Sequence, residues 1–200
     1  AAAAAGAWRP APGDGRLGLL PEEAGSMMLW PSINTVTFFE GDAASAAALI
    51  RDRAGRLLAA NPWLAGRLFQ AEGSAPLLWV PASEPDPARH VAELGRPALR
   101  PDLPLEAMRA EIEAVAVPTG SACLGKDEPL FRVGVLRQEE GRFAVVMSLS
   151  HVLGDGNTYY QLYGALGEPP VGRWLLQDGD TLPGRPGLGL PGSRGAGPNG

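Results

Sequence analysis

The sequence predicts a mixed α/β fold, α+β in its segregation, with one sheet covered by helices. Three observations lead there. Strand-like and helix-like segments alternate through the middle of the chain. One strand is apolar on both faces, as a covered central strand must be. Two amphipathic helices present single apolar faces that a sheet can bury.

The elements follow in order. Residues 33–40, INTVTFFE, are rich in β-branched and aromatic side chains and read as a strand. Asp42 is placed to cap the helix that follows, over 43–60. There Ala46, Leu49, Ile50, Ala54, Leu57 and Leu58 recur at helical spacing, with Arg51, Asp52 and Arg56 mostly on the other face. Asn61-Pro62 ends it, because proline drives its predecessor to extended geometry. Residues 63–69 and 77–80 read as a short hairpin across a Gly/Ser/Pro turn, 84–104 as irregular proline-rich chain, and 104–114 as a short helix. LFRVGVL (130–136) and RFAVVMSLS (142–150) are strands in a tight antiparallel hairpin through QEEG. The second of these carries Phe143, Val145, Met147 and Leu149 on one face and Ala144 and Val146 on the other. A last helix runs from about 156 to 166, with Tyr159, Leu162, Tyr163 and Leu166 on one side.

Composition sets the domain limits. Residues 1–25 and 167–200 are biased toward Ala, Gly and Pro, and 16 of the last 34 residues are Gly or Pro. Such segments bury too little apolar surface to offset their chain entropy, so both are expected to be disordered around a structured unit at 26–166. The net charge of −5 disfavours a nucleic-acid partner. No apolar run is long enough for a membrane span. One cysteine and two histidines leave no basis for a disulfide framework or a metal cluster, and the metal expectation is none. No secretory or transit signal is legible, which makes the cytoplasm the default compartment.

One constellation can carry chemistry. His151 follows the apolar strand, and Asp155-Gly156 opens the last helix. In open α/β sheets, sites lie at strand carboxyl ends where helix N-termini point. The positive end of a helix dipole favours a neutral imidazole, the form a general base requires. Asp155 is placed to turn inward and hold the loop through an arginine. Gly156 lets the backbone bend where a substrate approaches. By itself this arrangement also fits a plain loop histidine beside a capped turn.

SHVLGDG (150–156) resembles the HxxxDG signature of the superfamily that holds chloramphenicol acetyltransferases, plant-type alcohol acyltransferases and the condensation domains of nonribosomal peptide synthetases. EPLFRVGVL (128–136) and NPWLAGRLF (61–69) look like two further segments of that family, in the family's order. The resemblance spans about 33–166. It implies a chloramphenicol-acetyltransferase-like half-domain, specifically the N-terminal half. It also implies transfer of an acyl group from a thioester, on coenzyme A or a carrier protein, to an alcohol or amine. His151 would be the general base. Asp155 would be structural, paired to Arg132 or Arg67. No cofactor would be bound, the thioester being a co-substrate.

The sequence departs from the pattern in three places. Ser150 stands where many condensation domains have a second histidine. The segment matching LRxxF reads Leu64-Ala65-Gly66-Arg67-Leu68, without the first arginine. The second-half motif DFGWG is absent. The absent second-half motif implies a site completed elsewhere, by a missing C-terminal half or by a neighbouring subunit in a homotrimer. A non-catalytic remnant or binding module of the same fold is the alternative.

Other features are weaker. Gly187–Gly192 matches G-x-G-x-x-G but follows no strand. Asp178 and Asp180 lie in the biased tail. No G-x-S-x-G occurs. Cys123 has no assignable base. His90 reads as a surface residue, Trp63 and Trp79 as packing, and Glu111 and Glu113 as a solvated helix face.

Overall fold

A computed structural model describes residues 8–139 and 141–167. Two sheets carry the architecture. The larger has four strands in the order β2-β7-β6-β5, and the smaller has three in the order β1-β4-β3. The strands are β1 (Gly15–Gly18), β2 (Ile33–Glu40), β3 (Arg67–Phe69), β4 (Leu77–Val80), β5 (Val91–Gly95), β6 (Phe131–Arg137) and β7 (Arg142–Leu149). The helices are α1 (Pro21–Ala24), α2 (Ala43–Ala60), α3 (Leu105–Ile112), α4 (Gly120–Cys123) and α5 (Gly156–Gly167). The large sheet is mixed: β7 is antiparallel to both β2 and β6, while β5 runs parallel to β6.

β7 is the covered central strand that its apolar pattern requires. Phe143, Val145, Met147 and Leu149 enter one core, which α2 and α5 also line. Ala144 and Val146 enter a second, closed by Ile112 and Met108 of α3 together with Leu99 and Val115. The alternation of a strand thus divides its side chains between two helical layers. The mixed sheet covered by helices is therefore the fold that the sequence predicts.

Local signals explain α2 well. The Asp42 carboxylate accepts from the Ser45 backbone N–H at 2.8 Å, and the helix stops at Asn61 before Pro62. Its buried stripe is Ala43, Ala47, Ile50, Ala54, Leu57 and Leu58. Leu49, expected inside, is 47% exposed, so the inward face is rotated slightly toward Ala47. The Arg53 guanidinium donates to the Leu166 carbonyl at 2.7 Å, tying α2 to the last turn of α5. A cation there also suits the negative end of the α5 dipole.

Two expectations need correction. Residues 8–25 are not a disordered leader: β1 pairs with β4 from Gly15↔Val80 to Gly18↔Leu77, and α1 follows. β1 is four residues with one partly buried apolar side chain, Leu17, against the core, so it carries no periodic signal. Backbone bonds to β4 hold it. The stretch 84–104 is not wholly irregular, because β5 aligns with β6 from Val91↔Val133 to Gly95↔Arg137. A parallel edge strand depends on a partner about forty residues away, which local pattern cannot reveal. The Gly187–Gly192 string, Asp178, Asp180 and the tail beyond Gly167 lie outside the described residues. Among the described residues, no helix is long and apolar enough to cross a membrane.

Candidate active site

The motif loop leaves β7 at the end of the sheet where β2 and β6 begin, since Leu149 pairs with both Ile33 and Phe131. Ser150 is still held to the sheet, its N–H donating to the Leu130 carbonyl at 2.9 Å. Two turn bonds follow, from the Leu153 N–H to the Ser150 carbonyl at 3.0 Å and from the Gly154 N–H to the His151 carbonyl at 3.3 Å. Val152 and Leu153 are fully buried and plug the loop into the core. Such apolar anchors leave the loop few alternative conformations.

His151 is half-buried at the start of this loop. Its ring meets the Trp30 indole edge-on, with centroids 5.0 Å apart and planes at 89°. Burial holds its pKa below the ordinary histidine value, with the Asp155 charge pulling the other way. His151 is therefore largely neutral near pH 7, as a base must be. Its Nδ1 atom is buried and has no hydrogen-bond partner among the described residues. A base that gains a proton on Nε2 carries a proton on Nδ1 as well, and that second N–H needs an acceptor.

Asp155 takes a different role from the one expected. Its Oδ1 accepts from the Thr158 backbone N–H at 2.9 Å, capping the N-terminus of α5. The helix-end N–H groups of Thr158 and Asn157 hold the carboxyl below its usual range. The side chain is exposed. Neither predicted arginine reaches it. Arg67, 3% exposed, donates from Nε to Asp127 Oδ1 at 2.9 Å and from Nη1 to the Ala65 carbonyl at 2.7 Å. Arg132 pairs with Glu128. Arg67 starts a strand of the small sheet, and Arg132 lies on the α3 side of the large one, so neither points toward the start of α5. The contact that Asp155 makes is a helix cap at the start of α5.

The glycine that packing demands is also displaced. A Cβ on Gly156 would meet nothing within 4 Å, whereas one on Gly154 would lie 2.6 Å from Thr158 Cγ2. A further glycine, Gly120 in α4, supports the loop from below: a Cβ there would lie 2.6 Å from Val152 Cγ2 and 2.9 Å from Met28 Sδ.

α5 is fixed to the sheet by two tyrosines. The Tyr159 hydroxyl donates to the Met147 carbonyl at 2.8 Å and shares a 2.8 Å hydrogen bond with Thr35 Oγ1. Its burial pushes the phenol up to about 12. Tyr163 pairs with Thr37 through their hydroxyls. Sequence reasoning placed both rings on one side of the helix but missed Thr35 and Thr37, which sit more than 120 residues away. It also missed Trp30, an isolated aromatic before a proline with no periodic context.

The remaining candidates separate clearly. His90 is buried, at 3% exposure, and not a surface residue. Its Nδ1 lies 2.9 Å from the Phe131 carbonyl, an acceptor supplied by β6 that no local pattern indicates. Cys123 is buried, and burial pushes its thiol up to about 11, which keeps it protonated and inert. Trp63 is core, as expected. Among the described residues, no group of three or more His, Cys, Asp or Glu side chains is placed to hold a metal ion.

No family model matches the chain, and no curated protein does. Solved structures do. The epimerization domain from the third module of tyrocidine synthetase B matches with a TM-score of 0.55 at 15% identity, covering 77% of this chain and 34% of its own. TRI101 of F. graminearum, complexed with coenzyme A and T-2 mycotoxin, matches at 0.54 and 12% identity, covering 76% and 38%. The starter condensation domain of rhizomide synthetase matches at 0.52 and 14% identity, covering 76% and 36%. This chain thus spans between a third and two fifths of the length of each of these three. At such identities the likeness establishes architecture alone: the chain has part of the fold of these condensation and epimerization domains and of TRI101.

Proposed function

We propose that this chain supplies the histidine-bearing half of an acyl-transfer site. The donor is an acyl thioester, on coenzyme A or a carrier protein, and the acceptor is an alcohol or amine. The observation that carries this reading is His151 itself. It is kept neutral by burial, set at the end of the central strand, and held in a loop anchored by Val152, Leu153 and the Asp155 cap.

In this reading His151 Nε2 takes the proton from the acceptor O–H or N–H as its lone pair attacks the thioester carbonyl carbon. A tetrahedral oxyanion forms. Its collapse breaks the C–S bond, and the leaving thiolate takes the proton back from the imidazolium. Positioning the acceptor against such a base contributes typically 10²–10⁴-fold. The orphaned Nδ1 argues that the acceptor for the second imidazolium N–H comes from outside the described residues. A second half of the fold, or a neighbouring copy in a homotrimer, is the source we propose for it. The same surface would supply donors for the oxyanion. We place this reaction in the cytoplasm, with small-molecule substrates and no nucleic acid.

A non-catalytic binding module is the second reading, and the same orphaned Nδ1 favours it. The test is acyl transfer from a panel of acyl-CoA thioesters to alcohol and amine acceptors, followed by release of free coenzyme A. Solution mass is measured in parallel. Turnover that disappears in His151→Ala supports the base. Turnover that survives the substitution refutes it. Saturable thioester binding with no turnover, unchanged by His151→Ala, establishes the binding module.

A further inference from the structure

A cavity of about 310 Å³ opens on the α3 side of the large sheet, where β5 and β6 begin. Its volume is at the lower end of small-molecule sites, which run from about 300 to 1,000 Å³. Its lining includes Arg89, His90, Asp127, Glu128 and Arg132. The motif does not use it, because Arg132 turns away from the core that α2 and α5 share.

The polar groups converge from three segments. Arg89 Nη2 lies 2.7 Å from Asp127 Oδ2, and Arg132 Nη2 is paired with Glu128. Both arginines are thus engaged through one terminal nitrogen. A guanidinium offers five N–H donors in a planar fork, so the rest of each fork is left for a ligand. Asp127 is also held by the buried Arg67. Three arginines therefore face two carboxylates, an excess of one positive charge in a partly desolvated place. Burial holds the pKa of both Arg67 and Arg132 below the usual arginine value, a sign that the surroundings undercompensate these cations.

His90 lines the same cavity, its ring fixed by the Nδ1–H that donates to the Phe131 carbonyl at 2.9 Å. The rest of the wall is apolar, with Val91, Val115 and Pro129 among its residues. We infer that this cavity is a small-molecule site for a compact organic monocarboxylate, its carboxylate received by the free edges of Arg89 and Arg132 and its apolar body lying on Ala92 and Val115. A monoanion cancels the excess charge, and bidentate arginine contacts give it orientation. This site is independent of acyl transfer at His151.

The chain has two histidines, so histidine labelled at Cε1 gives one NMR signal from each site. The probe is hexanoate, with hexanamide as the uncharged control of the same shape. Hexanoate is expected to move the His90 signal saturably across the millimolar range, with the His151 signal stationary and hexanamide without effect. Arg89→Gln, at a side chain 46% exposed, should weaken binding at least about tenfold. Arg132→Lys, which keeps the charge and removes the fork, should weaken it too. An unchanged His151 signal in each variant verifies the fold. Equal shifts from hexanamide, undiminished binding in both variants, no saturation, or movement of His151 instead of His90 would each overturn the inference.

Discussion

Asp155 separates two architectures by calorimetry alone. If it caps α5, as its 2.9 Å bond from the Thr158 N–H indicates, asparagine can replace it, because Asn and Asp cap equally well. Asp155→Asn then loses only the attraction of a charge to the helix dipole, about 0.5 kcal/mol. Asp155→Ala loses the cap as well, for about 1.5 kcal/mol in all. For a chain of this size each kcal/mol moves the melting midpoint by about 2–4 °C. The expected falls are about 1–2 °C for Asn and about 3–6 °C for Ala. The Asn effect should shrink in 1 M salt, where the Debye length is about 3 Å. Had Asp155 been the partner of a buried arginine, either change would strand that cation and cost about 3–5 kcal/mol. Differential scanning calorimetry of the three proteins at pH 7 decides. An Asp155→Asn protein that melts as low as Asp155→Ala refutes the cap.

Three further outcomes follow from the same geometry. His90 has a folded-state pKa lowered from 6.5 to about 4 by burial, so its protonation favours the unfolded chain. Its contribution is intact above pH 6.5 and is lost as pH falls toward 4, by about 3 kcal/mol at full extent. Urea midpoints across that window should fall in the parent and fall less in His90→Gln, and parallel slopes would contradict this. Tyr159→Phe removes the hydroxyl held by the Met147 carbonyl and Thr35, at a cost of about 1–3 kcal/mol in the urea midpoint. A neutral effect would show that α5 is docked by its apolar face alone. Gly120→Ala places a methyl 2.6 Å from Val152 Cγ2 and 3.2 Å from Met28 Cα, overpacking worth about 1–3 kcal/mol. The His151 NMR signal should shift with it, because Val152 neighbours His151 in the motif loop. An unshifted signal and unchanged stability would mean that α4 does not support the loop.

The sequence by itself determined α2, the β6–β7 hairpin, α5 and the position of His151 between them. Each of these is announced locally. Asp42 and Asn61-Pro62 bracket α2, the alternation of Phe143 through Leu149 marks a covered strand, and Asp155 precedes an amphipathic turn. Only the tertiary structure decided the rest. β1 and β5 are short edge strands whose stabilisation comes from the backbones of β4 and β6, so their own side chains say little. His90 is buried because β6 brings the Phe131 carbonyl to it. Arg67 pairs with Asp127 across sixty positions, and Arg132, whose partner Glu128 is a near neighbour in sequence, lies on the face away from α5. Burial and partner choice are properties of the assembled layers. Charge and hydrogen-bond satisfaction are settled where side chains meet, and the sequence order does not encode those meetings locally.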